Sequence, residues 1–233
     1  MTKEPLLLLL ETATGVCSVA LSRGAEVLAI RTSSTERAHA SMLTVYIREL
    51  MQETGHALKD LDAVVVSRGP GSYTGLRIGV AVAKGICFTL DKPLIAIDTP
   101  LAMASQYLAE HRTVLHADTV LVPVIDARRM EVYGAALNMQ LNYLEGIRAE
   151  ILHPGSFIID RNSPHVLFGD AAEKCVEVYK GETFVKVDTA FNLSAQGLLQ
   201  PALPACSRQQ FEDIAYFEPY YLKEFVAKVK ERG

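Results

Sequence analysis

Tryptophan is absent from the 233 residues, cysteine is scarce, and positive charge does not gather into a run before the short tail from Lys223 to Arg232. Each of these gaps excludes something. Cys17, Cys87, Cys175 and Cys206 stand far apart, with no C-x-x-C pair and no histidine pattern beside them, which argues against a disulfide framework or a zinc site. A formal net charge of −4 without a basic stripe argues against a protein that grips nucleic acid unaided. The apolar run Leu6 to Leu10 falls far short of the roughly 20 residues of a membrane span, and no small-residue cleavage site of the usual kind follows it, which points to the cytoplasm. His56, His111, His116, His153 and His165 are isolated, and no Ser-His-Asp or Cys-His spacing supports nucleophilic catalysis. What is present, 49% hydrophobic and 21% charged residues, is the balance of a soluble globular chain with room for one large domain or two small lobes.

The densest local signal is Arg68-Gly69-Pro70-Gly71-Ser72-Tyr73-Thr74-Gly75-Leu76-Arg77-Ile78-Gly79. The β-branched run before it, Ala63 to Val66, reads as a strand buried on both faces, and the residues after Thr74 have helical length and composition. A loop between such a strand and helix lies where unpaired N–H groups of the first helical turn can receive an anion. Gly69, Gly71 and Gly75 would let a phosphate approach, with Ser72 and Arg77 at hand. It is not a Walker A loop, because no Lys-Ser or Lys-Thr follows the last glycine. The plainer alternative is that the glycines satisfy a tight turn and Arg77 pairs with a neighbouring carboxylate.

The same stretch closely resembles the RGPGSFTGLRIG signature of the bacterial TsaB (YeaZ) family. The resemblance continues through Leu6 to Thr14, through Asp126-Ala127-Arg128-Arg129-Met130-Glu131-Val132-Tyr133, and through Glu218-Pro219-Tyr220-Tyr221-Leu222, so that it covers nearly the whole chain. It implies an actin-like or Hsp70-like (ASKHA) α/β fold. It also implies a non-catalytic subunit that binds and activates the TsaD transferase, which places threonylcarbamoyl on the adenosine next to the anticodon of certain tRNAs (t6A modification). A TsaE-type ATPase would join the assembly, and tRNA would be held by another subunit. No cofactor belongs to the chain itself on this view, and ATP or ADP would act at the assembled complex.

Strand signals at Leu6 to Leu10, Val16 to Leu21 and Glu26 to Arg31 open the chain as a meander. A helix from about His39 to Glu53 follows, then the strand before the glycine loop, a helix from Leu76 to Leu90, a strand from Leu94 to Ile97 and a helix opened by Asp98-Thr99-Pro100. This βββαβαβα order is the repeating half of the actin-like fold, whose halves enclose a nucleotide cleft. Leu121 to Arg128 before Val132 to Leu137 resembles Leu6 to Ala13 before Val16 to Leu21, so a second, reduced half is expected. The expected lobes are residues 1–112 and 113–233. Ala190 to Phe211, rich in Pro, Ser and Gln, reads as irregular or loosely helical.

Glu11 and Asp126 each end an expected strand ahead of a turn, where paired acids in actin-like ATPases hold Mg²⁺ and water. Active relatives usually carry Asp and a hydroxyl where this chain has Glu11 and Ala13, which weakens the alternative of an autonomous ATPase or kinase using Glu11, Asp126 and the glycine loop. The candidate phosphate or nucleotide contacts are Glu11, Thr12, Gly69, Gly71, Ser72, Gly75, Arg77 and Asp126. TsaD, by the resemblance, binds its metal through two histidines one helical turn apart. Here His39 is followed four residues on by Leu43, so no metal site is expected. A Rossmann-type reading with Asp98 on a ribose is disfavoured, because three strands precede the first helix.

Two helices carry more apolar surface than one core contact needs. Leu43, Tyr46, Ile47 and Leu50 on the first, and Gly79, Val82, Ala83 and Ile86 on the second, are the expected partner interface, by resemblance the surface that pairs with TsaD and that a competing homodimer would also use. The alternative is that the lobe's own sheet covers these faces. The tail Tyr221 to Lys230 has helical spacing of Leu222, Phe225, Val226 and Val229, suited to a docking helix or to one laid on the second lobe.

Overall fold

Five consecutive leucines, Leu6 to Leu10, are fully buried because β1 (Leu6–Glu11) is the central strand of a sheet covered on both faces. The structure is a computed structural model that describes residues 4–33 and 38–223; the side chain of His39 and the tail beyond Lys223 lie outside the described residues. Alternation along β1 sends Leu7 and Leu9 into one core and Leu6, Leu8 and Leu10 into another.

β2 (Cys17–Arg23) and β3 (Glu26–Ser33) continue β1 as an antiparallel meander. After α1 (Ala38–Thr54), β4 (Ala63–Gly69) pairs parallel with β1, with Leu10 opposite Val66. This register sets the carboxyl ends of β1 and β4 side by side. α2 (Tyr73–Leu90) leads to β5 (Leu94–Asp98) and α3 (Thr99–His111), and the sheet order is β3-β2-β1-β4-β5. α2 starts three residues before the expected Leu76, because the Ser72 hydroxyl accepts a hydrogen bond from the Gly75 N–H at 3.2 Å and caps the helix there.

The second sheet repeats the first. β6 (Val120–Asp126), β7 (Glu131–Leu137) and β8 (Tyr143–Ile151) form the meander, and β9 (His165–Phe168) and β10 (Val185–Asp188) add parallel strands around α4 (Ala172–Val178). The order β8-β7-β6-β9-β10 matches that of the first sheet. The repeat is reduced: no helix stands between β8 and β9, and α4 has 7 residues where α2 has 18.

Residues 190–211, expected to be irregular or loosely helical, contain a 3₁₀ turn (Ala195–Leu198) and α5 (Leu199–Ser207), with Pro204 inside the helix. Their apolar side chains decide the matter. Leu193, Leu198, Leu199 and Ala202 join Leu7 and Leu9 of the first sheet and Leu121 and Ile125 of the second in one core, with α3 between the sheets. Tyr107 of α3 stacks on Phe168 at 4.1 Å and donates a hydrogen bond to Asp188 at 3.0 Å, which ties that helix to the second sheet. The second sheet ends with β10 at Asp188, and the 3₁₀ turn and α5 that follow pack against the first sheet and α3. α1 and α2 cover the outer face of the first sheet, and α4 covers that of the second.

Candidate functional site

Glu11 ends β1 and is fully buried. Because β1 and β4 run parallel in the register above, Ser67 stands beside it and donates its hydroxyl to the carboxyl, while the Ala13 N–H donates to the other oxygen at 2.7 Å. Burial pushes this carboxyl up from its ordinary 4.5 to about 7; the bonds from Ser67 and the backbone pull the other way, and the charge of Asp170 adds to the rise. Both oxygens are thus committed within the protein.

Asp126 occupies the matching place at the end of β6, and it is exposed. Lys174 of α4 pairs with it at 2.7 Å, and the Arg128 N–H donates to the same oxygen at 2.5 Å. The acid felt by Glu11 across the seam is Asp170, which follows β9 and accepts the Asp126 N–H at 2.9 Å. Desolvation raises its carboxyl to about 6. Asp170 lines a cavity of about 220 Å³ with Thr14, Gly15, Met103 and Asn192. That is below the roughly 300 to 1,000 Å³ usual for drug-sized ligands. Among the described residues no three His, Cys, Asp or Glu side chains converge as a metal site would need. Sequence reasoning passed over Asp170; its signal was a short apolar strand ending in Gly-Asp, the same strand-then-acid pattern that singled out Glu11 and Asp126.

The glycine loop lies against the β1–β2 turn. A Cβ at Gly71 would overlap the Ala13 carbonyl, one at Gly75 the Thr12 carbonyl, and one at Gly79 the Thr12 hydroxyl. The Ser72 N–H donates to the Ala13 carbonyl at 2.6 Å, so the turn occupies the place at the start of α2 where an anion was expected. Gly69, at φ +114, meets the Tyr220 carbonyl instead. The tight-turn alternative accounts for these glycines. Among the described residues Arg77 has no carboxylate in ion-pair contact: its guanidinium lies 4.2 Å from the Tyr73 ring centroid and donates to the Tyr221 hydroxyl at 3.2 Å.

Of the expected interface residues, Leu43, Ile47, Leu50, Gly79 and Ala83 are buried. Leu43, Ile47, Leu50 and Ala83 belong to the core under the first sheet, and Gly79 faces Thr12. This corrects the sequence reading, because the spacing Leu43, Ile47, Leu50 is the stripe turned toward the lobe's own strands. Tyr46, Val82 and Ile86 remain partly accessible. Val82 and Ile86 line, with Ile47, Met51 and Leu58, an apolar groove of about 370 Å³ between α1 and α2. Farther along α2, Gly85 opens to empty space and Phe88 is 82% exposed.

The model of the family "TsaD: tRNA N6-adenosine threonylcarbamoyltransferase" matches residues 26–231. The chain is 28% identical to the "tRNA threonylcarbamoyladenosine biosynthesis protein TsaB" of Escherichia coli over 97% of its own length and 98% of that protein. To the protein of the same description from Haemophilus influenzae it is 39% identical over 54% of its length, and the match spans only 51% of that relative. Among solved structures, YeaZ from Pseudomonas aeruginosa superposes with a TM-score of 0.79 at 28% identity, covering 94% of this chain and all of that one. An activator of 2-hydroxyisocaproyl-CoA dehydratase from Clostridium difficile, solved with bound ADPNP, superposes over 88% of this chain and 96% of its own at a TM-score of 0.52 and 12% identity, which speaks to the two-lobed actin-like fold alone.

Proposed function

The chain belongs to the TsaD family, on the branch whose members are named TsaB or YeaZ and serve t6A synthesis, and from that premise we propose that it acts there by binding and activating the TsaD transferase, with no chemistry of its own. The apolar groove between α1 and α2 carries the proposal. It is an unpartnered helix pair on the face of the first lobe away from the seam, and the open positions Gly85 and Phe88 extend it along α2. A family that includes the transferase suits a pseudo-symmetric pairing in which each chain offers its own α1 and α2. The same face would serve a homodimer, so the two assemblies would compete. Arrangements at the seam support the absence of chemistry: Glu11 is sealed by Ser67 and the Ala13 N–H, and Asp126 is held by Lys174. A TsaE-type ATPase, and ATP or ADP with it, would then act at the assembled complex.

Light scattering after size-exclusion chromatography of the chain mixed with the transferase tests this. Val82→Glu places a charge in the groove at a half-buried position on the edge of the core, and it is expected to abolish the heterodimer while lowering the unfolding midpoint by no more than a few degrees. A heterodimer of unchanged stability in Val82→Glu would reject this face. Ala83 is unsuitable for such a test, since it is fully buried and a large side chain there would disrupt the core.

A further inference from the structure

We propose that the turn carrying Arg128 and Arg129, together with the neighbouring cluster of Tyr73, Arg77 and Tyr221, forms a surface that binds an RNA loop. Its RNA assignment rests on the t6A reading above; its geometry does not.

Arg128 and Arg129 adopt φ values of +72° and +51°, successive left-handed conformations for which Asn-Gly is the preferred sequence and which cost an arginine free energy. Both side chains are exposed, and neither guanidinium has a hydrogen-bonding or ion-pair partner among the described residues. The nearby acids are already engaged, Asp126 by Lys174 and Glu131 by Lys223. The backbone of the turn is used, since the Arg128 N–H donates to Asp126, but the two guanidinium groups are not used by the described fold.

Lys223 connects this tip to the other lobe. It lies two residues beyond Tyr221, a span of at most about 7 Å of extended chain, and its ammonium reaches Glu131 beside the turn. Tyr221 meets Tyr73 with ring centroids 5.0 Å apart, and Arg77 lies over the Tyr73 face. Burial raises the Tyr133 phenol, while the charges of Lys223 and Arg128 pull it down, which puts both cations near that ring as well. Cations that can neutralise phosphates, interleaved with aromatic faces on which unpaired bases can stack, are the elements of single-strand recognition. No basic run marks this surface in the sequence before Lys223, because Arg77, the Arg128-Arg129 pair and Lys223 lie far apart along the chain and only folding brings them together.

The test is fluorescence anisotropy with a labelled anticodon stem-loop RNA, at low salt, for the chain alone and for its mixture with the transferase. The double variant Arg128→Asn, Arg129→Gly removes both charges and relieves the backbone. It is expected to lose about tenfold or more in RNA affinity with a shallower salt dependence, while its melting temperature stays level or rises. Equal RNA affinity in wild type and variant under both conditions, or no RNA binding by wild type in either, overturns the proposal. So does preferential displacement of RNA by poly-glutamate, which would assign the surface to an acidic protein. Val82→Glu separates the two readings: arginine-dependent RNA binding that persists in Val82→Glu retains this surface independently of the heterodimer, whereas a wild-type chain that binds RNA through the arginines but never associates with the transferase retains this surface and rejects the partner.

Discussion

Glu11→Gln should stabilise the protein at alkaline pH and leave it unchanged in acid. The carboxyl is fully buried, and desolvation lifts it from 4.5 to about 7. A folded-state value above the unfolded one means that folding favours the protonated form. The associated stability is fully present below about pH 4.5, falls as pH rises, and is gone above about pH 7. Holding a carboxyl at about 7 instead of 4.5 corresponds to about 3 kcal/mol. Glutamine reproduces the protonated acid: its oxygen can accept the Ala13 N–H and its amide can donate to the Ser67 hydroxyl. The variant should therefore exceed wild type by about 2 to 3 kcal/mol at pH 8, on the order of 5 to 10 °C in melting temperature for a chain of this size, and converge with it near pH 4.5. Urea unfolding followed by circular dichroism is the suitable assay, since the chain has no tryptophan to report by fluorescence. Asp170 titrates in both proteins and is coupled to Glu11, so the difference between the two curves reports Glu11 together with that coupling. A difference that stays constant from pH 5 to 8 would refute the argument and require Glu11 to be ionised and solvated throughout.

Gly75→Ala should destabilise the fold by about 1 to 3 kcal/mol in thermal or urea unfolding, because its Cβ would overlap the rigid Thr12 carbonyl. Gly85→Ala, with open space around the new methyl, should instead stabilise the isolated chain by about 0.5 to 1 kcal/mol by the helix-propensity difference. If a partner approaches that face closely, the same variant should weaken heterodimer formation in sedimentation or light scattering even as its melting temperature rises.

The first lobe was legible because its signals are local. A run of five leucines too short for a helix and followed by turn residues fits a strand covered on both faces, and Asp98-Thr99-Pro100 places Pro where a helix start favours it. The glycine loop was legible as a close approach but not as to what approaches. A glycine that admits a phosphate and one that admits a carbonyl leave the same mark, and only the folded chain shows Ala13 and Thr12 in that place. Five of the eight expected interface residues, Leu43, Ile47, Leu50, Gly79 and Ala83, are buried for a related reason. Apolar excess on α1 and α2 was real, yet periodicity does not say which side meets the sheet, and Leu43, Leu50 and Ala83 turned inward while Val82 and Ile86 stayed at the surface. Residues 190–211 could be read only as irregular or loosely helical because their order comes from distant partners: a helix interrupted by Pro204 gains its stability from Leu7, Leu9 and Leu121, over a hundred residues away by sequence for the first two.

Two copies of one topology meet in this chain, and each ends its central strand in an acid. In both copies the acid is used to hold the protein together: Glu11 fastens the β1–β2 turn to β4, and Asp126 fastens the β6–β7 turn to α4. The space between the sheets is filled by Phe191, Leu193 and Leu198, and one core runs through it. A seam closed in this way cannot open over a large ligand without exposing that core, so domain closure is a poor candidate for how the molecule works. The chain beyond α5 makes the coupling tighter. Lys84 of α2 donates to the Phe217 carbonyl at 2.9 Å, the Tyr220 N–H donates to the Arg68 carbonyl at 2.6 Å, and Lys223 reaches Glu131 on the second sheet. α2, the helix with the open outer face, is thereby fixed to both lobes. A partner that docks on α2 meets a surface already in its final position, and the rim that carries Arg128 and Arg129 is set at a constant orientation to it.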